Sequence, residues 1–349
     1  MSLICVDSLD NEVIWLLFLC LGQQWIVREG FSICNRWREI VRTHCLLIDS
    51  AECCVNQTVL QRLPHLRTLN FNATVSGLTK NDLACLLDLR ALTIRWQSGL
   101  SKEDALSDLS DTLVTLSVQG DYHLSSLPNL CNLRTLDLSY NCTLNDTMIG
   151  SLTTLQSLTL SYCANVTGNC IRTLSSLRTL ALTVADVSDD ALSSLVNLIS
   201  LEVAWSSNIT NQSIQRLTGL RELTLRRIGG GINEDSLAGL HSLTHLCVSG
   251  RNASVNYNAL TQLKSLAIYT GQHSRYMFND RRIHTLTNLV TLVADDHLIL
   301  SSRWLSHFPS LRHLSMDSIS LDDTLSQAER RQFTVLEWGS SSEKHCLLK

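Results

Sequence analysis

The sequence predicts an α/β solenoid, in which short parallel strands stack side by side and each is followed by a brief helical return. Three observations predict it. The first is a recurring leucine in the phrase L-x-x-L-x-L. Its second leucine falls at Leu69, Leu92, Leu116, Leu136, Leu158, Leu180, Leu201, Leu223, Leu246, Leu266, Leu292, Leu314 and Leu336, at intervals of 20 to 26 residues. The second observation is a change of period inside each interval, from two in the L-x-L segment to helical spacing after it. The third is a polar residue able to cap a helix at the point where the period changes.

The stretch LQSLTLSYCANVTGNCIRTL (Leu155 to Leu174) shows the grammar. Leu158 and Leu160 alternate with polar neighbours, so the leucines face inward on a short strand. Thr167 then opens a helical turn, and Ile171 and Leu174 lie three apart on one face of it. The segment upstream, Leu133 to Leu152, and the one downstream, Leu177 to Leu195, repeat the pattern. Thr79, Ser101, Asn145, Thr167, Ser188, Thr210 and Asn233 occupy the capping position, where a side-chain oxygen accepts from an otherwise unpaired backbone N–H. No unit could bury its apolar face alone, whereas stacked units share one core. An ordinary parallel α/β sheet needs helices of about 10–15 residues between strands, and the intervals leave no room for them.

This motif and period resemble the leucine-rich repeat, over about residues 60 to 340. The resemblance implies a horseshoe with parallel strands on its concave face, built from about 13 units within residues 49–349. Many such repeats place Asn or Cys just beyond the strand to hold backbone amides. Asn141 and Cys163 match that position, and Ala185 and Ile228 do not. Cys163, between Tyr162 and the Asn165-Val166-Thr167 run, resembles the cysteine-containing repeat subfamily.

Composition narrows the function. The 349 residues could fill two or three ordinary domains, but a solenoid absorbs length by adding units. A net charge of −4 gives no global electrostatic case for nucleic acid or an anionic membrane. The 13 cysteines are odd in number, scattered through core-like positions, and form no C-x-x-C pair. They read as reduced thiols of a cytoplasmic or nuclear protein. Cys53 and Cys54 lack a second pair at zinc-ligand spacing, so no metal and no cofactor is expected. No G-x-S-x-G, no H-E-x-x-H and no Cys–His–Asp arrangement is present, so an enzyme is not expected.

The apolar run Val13 to Leu21 could be the core of a secretory leader, but Asp7, Asp10 and Glu12 precede or open it where positive charge is needed. It is also too short to span a bilayer. Glycosylation sequons begin at Asn56, Asn72, Asn141, Asn145, Asn165, Asn208, Asn211 and Asn252. Most arise because the repeat itself sets Asn beside a Ser or Thr. The terminal Cys346-Leu347-Leu348-Lys349 has the form of a prenylation signal, but Lys349 is an unusual last residue.

Residues 9 to 40 resemble an F-box, the helical motif that docks a substrate receptor onto a Skp-type adaptor of a cullin-type (SCF) ubiquitin ligase. Leu9, Glu12 and Val13 match its start, Leu17, Phe18 and Leu21 its middle, and Ile33, Cys34, Trp37 and Arg38 its end. Asp10 replaces the usual proline, the middle is about one residue longer than in many members, and the Leu-Trp that often follows is absent. The resemblance implies a helical domain over residues 1–48 whose adaptor-binding residues are Leu9, Glu12, Val13, Leu17, Phe18, Leu21, Ile33, Cys34 and Trp37. From the residues alone, the stretch is a helix apolar on more than one side. It could equally cap the open end of the solenoid.

The outward strand residues are mostly Ser, Thr and Ala, with charge concentrated at Glu202, Glu222, Arg226 and Arg227. Two residues beyond the last strand leucine, several units carry an aromatic: Trp96, Tyr140, Tyr162 and Trp205. These eight residues are the expected substrate-binding surface, with Tyr140 and Tyr162 side by side. Two irregularities compete with it. Gly229-Gly230-Gly231 follows the arginines without the grammar of a phosphate-binding loop. The longest interval carries His273, Arg275, Tyr276, Phe278, Arg281, Arg282 and His284, an insertion of the kind that forms binding loops in repeat arrays.

The sequence therefore points to a non-enzymatic substrate-recognition subunit, monomeric outside its complex, with an adaptor–cullin complex and a protein substrate as partners. Two alternatives stand beside it: a repeat scaffold with no ubiquitin role, and a secreted or surface recognition protein.

Overall fold

A computed structural model describes residues 10–22, 26, 35–49, 57–71, 83–95, 106–206, 208–228, 233–250, 255–269, 278–294, 298–299, 307–316 and 335–338. The chain divides into two compact units, residues 1–166 and 167–349.

The first unit opens with helices α1 (Asn11–Leu21) and α2 (Asn35–His44). Phe18 of α1 is 1% exposed. Its ring lies 4.8 Å from that of Trp37 on α2, and Arg36 Nε donates to Asn11 Oδ1 at 3.0 Å. Gly22, at φ 82°, ends α1 in a backbone conformation that side chains disfavour. Parallel strands follow: β1 (Leu47–Asp49), β2 (Thr68–Phe71), β3 (Ala91–Ile94), β4 (Thr115–Gln119), β5 (Thr135–Ser139) and β6 (Ser157–Ser161). They lie in chain order, with the predicted leucines in one register: Ile48 opposite Leu69, Leu69 opposite Leu92, Leu92 opposite Leu116, Leu116 opposite Leu136, and Leu136 opposite Leu158. Strand β1 was not expected. Ile48 stands one repeat interval ahead of Leu69, but the segment around it lacks the leucine phrase. The helices here are α3 (Gln57–Gln61) and α4 (Asp146–Gly150).

The second unit carries β7 (Thr179–Thr183), β8 (Ser200–Ala204), β9 (Glu222–Arg226), β10 (His245–Ser249) and β11 (Ser265–Tyr269). A two-residue strand β12 (Phe278–Asn279) pairs with β14 (Leu298–Ile299), apart from the main ladder. The main ladder continues with β13 (Thr291–Ala294), β15 (His313–Met316) and β16 (Val335–Trp338), again parallel and with leucine opposite leucine. Its short helices are α5 (Gly168–Ile171), α6 (Asp189–Ser193), α7 (Asn211–Ile214) and α8 (Glu234–Ala238).

The expected caps open these helices. Asn145, Thr167, Thr210 and Asn233 each accept a hydrogen bond from a backbone N–H of the turn they precede. Ser188 occupies the capping position without a side-chain bond. Thr79, Ser101, Cys53 and Cys54 lie outside the described residues.

Alternation within the strands holds in β2 to β7 and lapses in β8, β10 and β11, where Ala204, Cys247, Ser265 and Ala267 are buried as well. Leu136, Leu138, Leu158, Leu180 and Leu201 are at most 1% exposed, while Thr135, Asp137 and Ser139 between them are half-buried. At the Asn/Cys position, Asn141 is fully buried. Its amide donates to Gly120 O and Tyr122 O, and its Oδ1 accepts from the N–H groups of Thr143 and Leu144. Cys163 holds the same place with its thiol toward Leu138 O and Ser161 O. Burial pushes that thiol's pKa up, so the sulfur keeps the proton it donates.

Candidate functional site

The site starts from a backbone feature. Among the described residues, seven repeats hold the residue just after the strand in the left-handed region. Gly120 (φ 127°), Tyr140 (57°) and Tyr162 (55°) do so in the first unit. Val184 (50°), Trp205 (57°), Arg227 (49°) and Gly250 (72°) do so in the second. The turn is held by hydrogen bonds to the neighbouring strand. The N–H of Gly120 donates to Ser139 O, that of Tyr140 to Ser161 O, that of Val184 to Ala204 O and that of Trp205 to Arg226 O. Glycine meets this requirement without strain. A residue with a side chain holds it at about 1–2 kcal/mol, and such outliers gather where a side chain has work to do.

The conformation turns these side chains out of the strand's alternation and into solvent. Tyr140 is 40% exposed, Tyr162 42%, Val184 43% and Trp205 53%, so none is held there by core burial. In the first unit the Tyr140 and Tyr162 rings stack, with centroids 4.7 Å apart and planes 5° from parallel. One strand below, Ser117 Oγ donates to Asp137 Oδ2. In the second unit Arg227 Cζ lies 4.3 Å above the Trp205 ring. Arg226 Nη1 lies 3.5 Å from Glu202 Oε1. Both members of that ion pair are part-exposed, so it contributes little to stability.

The structure thus brings together Tyr140 with Tyr162, Trp205 with Arg227, and Glu202 with Arg226. It does not bring Glu222 to that group: Glu222 begins β9 and Arg226 ends it. Trp96 lies outside the described residues, as do Gly229 to Gly231, residues 271–277 of the long interval, and Cys346. Of that interval, Phe278 lies in β12, and Arg281 and Arg282 in a single 3₁₀ turn. Sequence reasoning missed Val184, which holds the same backbone position as the aromatics. The signal was available, because it too lies two residues past the last strand leucine.

Among the F-box-like positions, Leu9, Ile33 and Cys34 lie outside the described residues. Val13, Leu17 and Leu21 lie on α1, and their side chains are outside the described set. Glu12 is exposed, whereas Phe18 and Trp37 pack on each other. Among the described side chains of α1, the exposed apolar residues are Leu16 (60%) and Leu19 (53%).

Among the described residues, no group of His, Cys, Asp and Glu is placed to hold a metal ion, and no helix is long and apolar enough to cross a membrane. Several sequon amides are engaged within the fold. Besides Asn141, Asn165 Nδ2 donates to Cys142 O and Asn208 Nδ2 to Asp186 Oδ1.

No protein-family model matches the chain, and no curated protein matches it. Solved structures do. An internalin of Listeria monocytogenes superposes with a TM-score of 0.60 at 20% identity, covering 93% of this chain and 95% of that one. A leucine-rich-repeat protein of Leptospira interrogans superposes with a TM-score of 0.56 at 16% identity, covering 89% of this chain and 87% of that one. A chain of the mouse RP105/MD-1 complex gives 0.53 at 17% identity, covering 80% of this chain and 56% of that one. Together with the parallel leucine ladders, these likenesses establish the leucine-rich-repeat fold.

Proposed function

We propose that the chain is a non-enzymatic recognition subunit whose repeats hold a protein substrate and whose residues 1–48 dock a Skp-type adaptor, carrying the substrate to a cullin-type ubiquitin ligase. The observation that carries the protein-binding half is the set of exposed side chains that each unit keeps at left-handed backbone positions. Tyr140, Tyr162 and Trp205 are large, stiff and half-exposed, the properties of anchors in protein interfaces. They stand on flat strand ends, which suits a protein epitope or an extended segment better than a small molecule, whose site is normally concave.

The adaptor half is supported by the Cys34, Trp37 and Arg38 ending and by the two-sided character of α1. Ile14 and Phe18 are buried while Leu16 and Leu19 are exposed. An apolar helix face left in water calls for a partner. The mechanism is proximity, since a held substrate keeps its lysines near the charged ubiquitin carrier at high effective concentration.

The scaffold reading has one observation in its favour. Phe18 and Trp37, two of the F-box-like residues, are spent on each other, as a simple cap would require. The secreted reading has the sequons, but Asn141, Asn165 and Asn208 already commit their amide nitrogens. Affinity purification of the tagged chain from its host decides among them. A Skp-type adaptor and a cullin should co-purify; their absence leaves the scaffold, and a glycosidase-sensitive mass shift leaves the secreted protein.

A further inference from the structure

A second surface lies at the other end of the strands, and it is basic. The residues immediately before β7, β8, β9, β10, β11, β13 and β15 form one hydrogen-bonded row. Ile199 N donates to Arg178 O, Arg221 N to Ile199 O, Thr244 N to Arg221 O, Lys264 N to Thr244 O, Val290 N to Lys264 O and Arg312 N to Val290 O. Read along the row, the residues are Arg178, Ile199, Arg221, Thr244, Lys264, Val290 and Arg312. A cation therefore stands on every second rung, with a neutral residue between.

All four cations are exposed. Among the described residues, no carboxylate forms an ion pair with Arg178, Arg221 or Lys264; Arg178 donates only to Asn197 O. The turns leading into β7, β8, β9, β10, β11, β13 and β15 contain no Asp or Glu. The first residues of these strands add one carboxylate, Glu222, against His245 and His313. Other described acids of this unit, Asp186, Asp190, Glu234 and Asp235, are exposed at or just before the first turns of α6 and α8. On a chain with a net charge of −4, the described residues of this edge carry four exposed cations against one carboxylate.

We infer that this edge binds an acidic protein segment in polyproline II conformation, with a carboxylate at about every third residue. The spacing selects that occupant. Two rungs of a parallel sheet span about 9.6 Å, and one three-residue turn of polyproline II spans about 9.3 Å and returns every third side chain to the same face. A peptide laid across the strand ends would therefore set successive acids opposite Arg178, Arg221, Lys264 and Arg312. The neutral rungs Ile199, Thr244 and Val290 face the residues between. Such charge matching fixes register and speeds association more than it adds affinity. The inference extends the reading of the repeats as a protein-binding surface and does not depend on adaptor docking.

The test is fluorescence anisotropy on the full chain with labelled peptides of roughly ten residues, enough to span the row in polyproline II form. One peptide carries Glu at every third position, and a second has the same composition with its glutamates clustered. An oligothymidylate of similar length is the third probe. The periodic peptide should bind several-fold more tightly than the clustered one, and binding should vanish near 1 M salt, where the screening length is about 3 Å. Arg221→Glu combined with Lys264→Glu should weaken binding about tenfold or more with an unchanged melting curve. Arg172→Glu, which reverses a charge off the row, should bind within about twofold of the parent chain. Equal affinity for both peptides, no binding at low salt, or an unaffected double variant would overturn the inference. Tighter binding of the oligothymidylate would reassign the edge to nucleic acid. Retained substrate capture in Trp205→Ala, with peptide binding intact, would count against the aromatic surface alone.

Discussion

Tyr140 and Tyr162 stack face to face, 4.7 Å apart, while each holds its backbone at a positive φ that favours glycine. The two facts pull in opposite directions. The left-handed backbone costs about 1–2 kcal/mol per residue, and a stacked aromatic pair returns about 0.5–1.5 kcal/mol. Stability alone therefore gives no reason to prefer tyrosine over glycine here, and Gly120 and Gly250 show that glycine serves the same turn elsewhere.

That balance makes a signed prediction. Tyr162→Ala keeps the strained backbone and loses the stack, so it should lower stability by about 1 kcal/mol. Tyr162→Gly relieves the strain as well and should come out more stable than the alanine variant by about 1 kcal/mol. Both should lose substrate capture, and so should Trp205→Ala. Denaturant titrations of the variants supply the order. If alanine proves the more stable of the two, the left-handed backbone is not a cost at this position.

Close packing between returns gives the second prediction. A Cβ built on Gly168, the first residue of α5, would meet Ala191 Cβ of α6 at 2.6 Å. Two methyl groups cannot occupy that gap, and backbone would have to move. Gly168→Ala should destabilise by about 1–3 kcal/mol, as overpacking of a tight interior does. Adding Ala191→Gly should restore part of the loss, because it empties the facing space. Additive losses in thermal melts would mean that the contact is not what forbids a side chain at 168.

Asp189 supplies a pH dependence. It accepts hydrogen bonds from Thr210 N, Thr210 Oγ1 and Ser213 Oγ of the next repeat. Burial acts to raise its pKa, but the bonds from Ser213 and Thr210 outweigh it and hold the carboxyl below its ordinary value. A carboxylate whose folded pKa is depressed stabilises the fold above its unfolded pKa, near 3.9. That contribution is lost as pH falls through the folded value. Asp189→Asn should therefore cost about 1 kcal/mol near neutral pH, after discounting for solvent around a partly exposed group. As pH falls through the folded value and the parent carboxyl takes up its proton, the difference should shrink. Equal melting temperatures at pH 7 would show the cluster to be ornamental.

Much of this fold was legible in the sequence because period reports burial directly. Leu136, Leu158, Leu180 and Leu201 fell where alternation placed them, and Asn145, Thr167, Thr210 and Asn233 cap the turns they were expected to open. Strand β1 escaped because Ile48 fills the leucine's place without the phrase around it. The left-handed positions escaped in part because backbone conformation leaves its mark only where glycine appears. Tyr140 and Trp205 were noticed as aromatics, and Val184 was passed over although it meets the same requirement. The basic edge escaped because net charge averages over the chain, and its cations come into line only when units of unequal length are set in register. The pairing of Phe18 with Trp37 could not be read at all, since it joins two helices with no shared period.

That pairing decides how adaptor docking should be tested. Phe18 is 1% exposed and 4.8 Å from Trp37. Phe18→Ala would open a cavity worth about 3–5 kcal/mol in a two-helix contact. Lost adaptor binding in that variant would report collapse of the helix pair and nothing about the interface. Leu16 and Leu19 are the informative positions, because they are apolar and more than half exposed. Charge there removes a contact without touching the Phe18–Trp37 packing. Leu16→Asp combined with Leu19→Asp should leave the melting curve near that of the parent, since surface changes usually stay within about 0.5 kcal/mol. It should abolish co-purification of a Skp-type adaptor if α1 is the docking helix. A double variant that folds and still brings the adaptor down would place docking off this face of α1. If the parent chain brings down no adaptor, the helix pair is a cap, and the exposed leucines belong to some other contact.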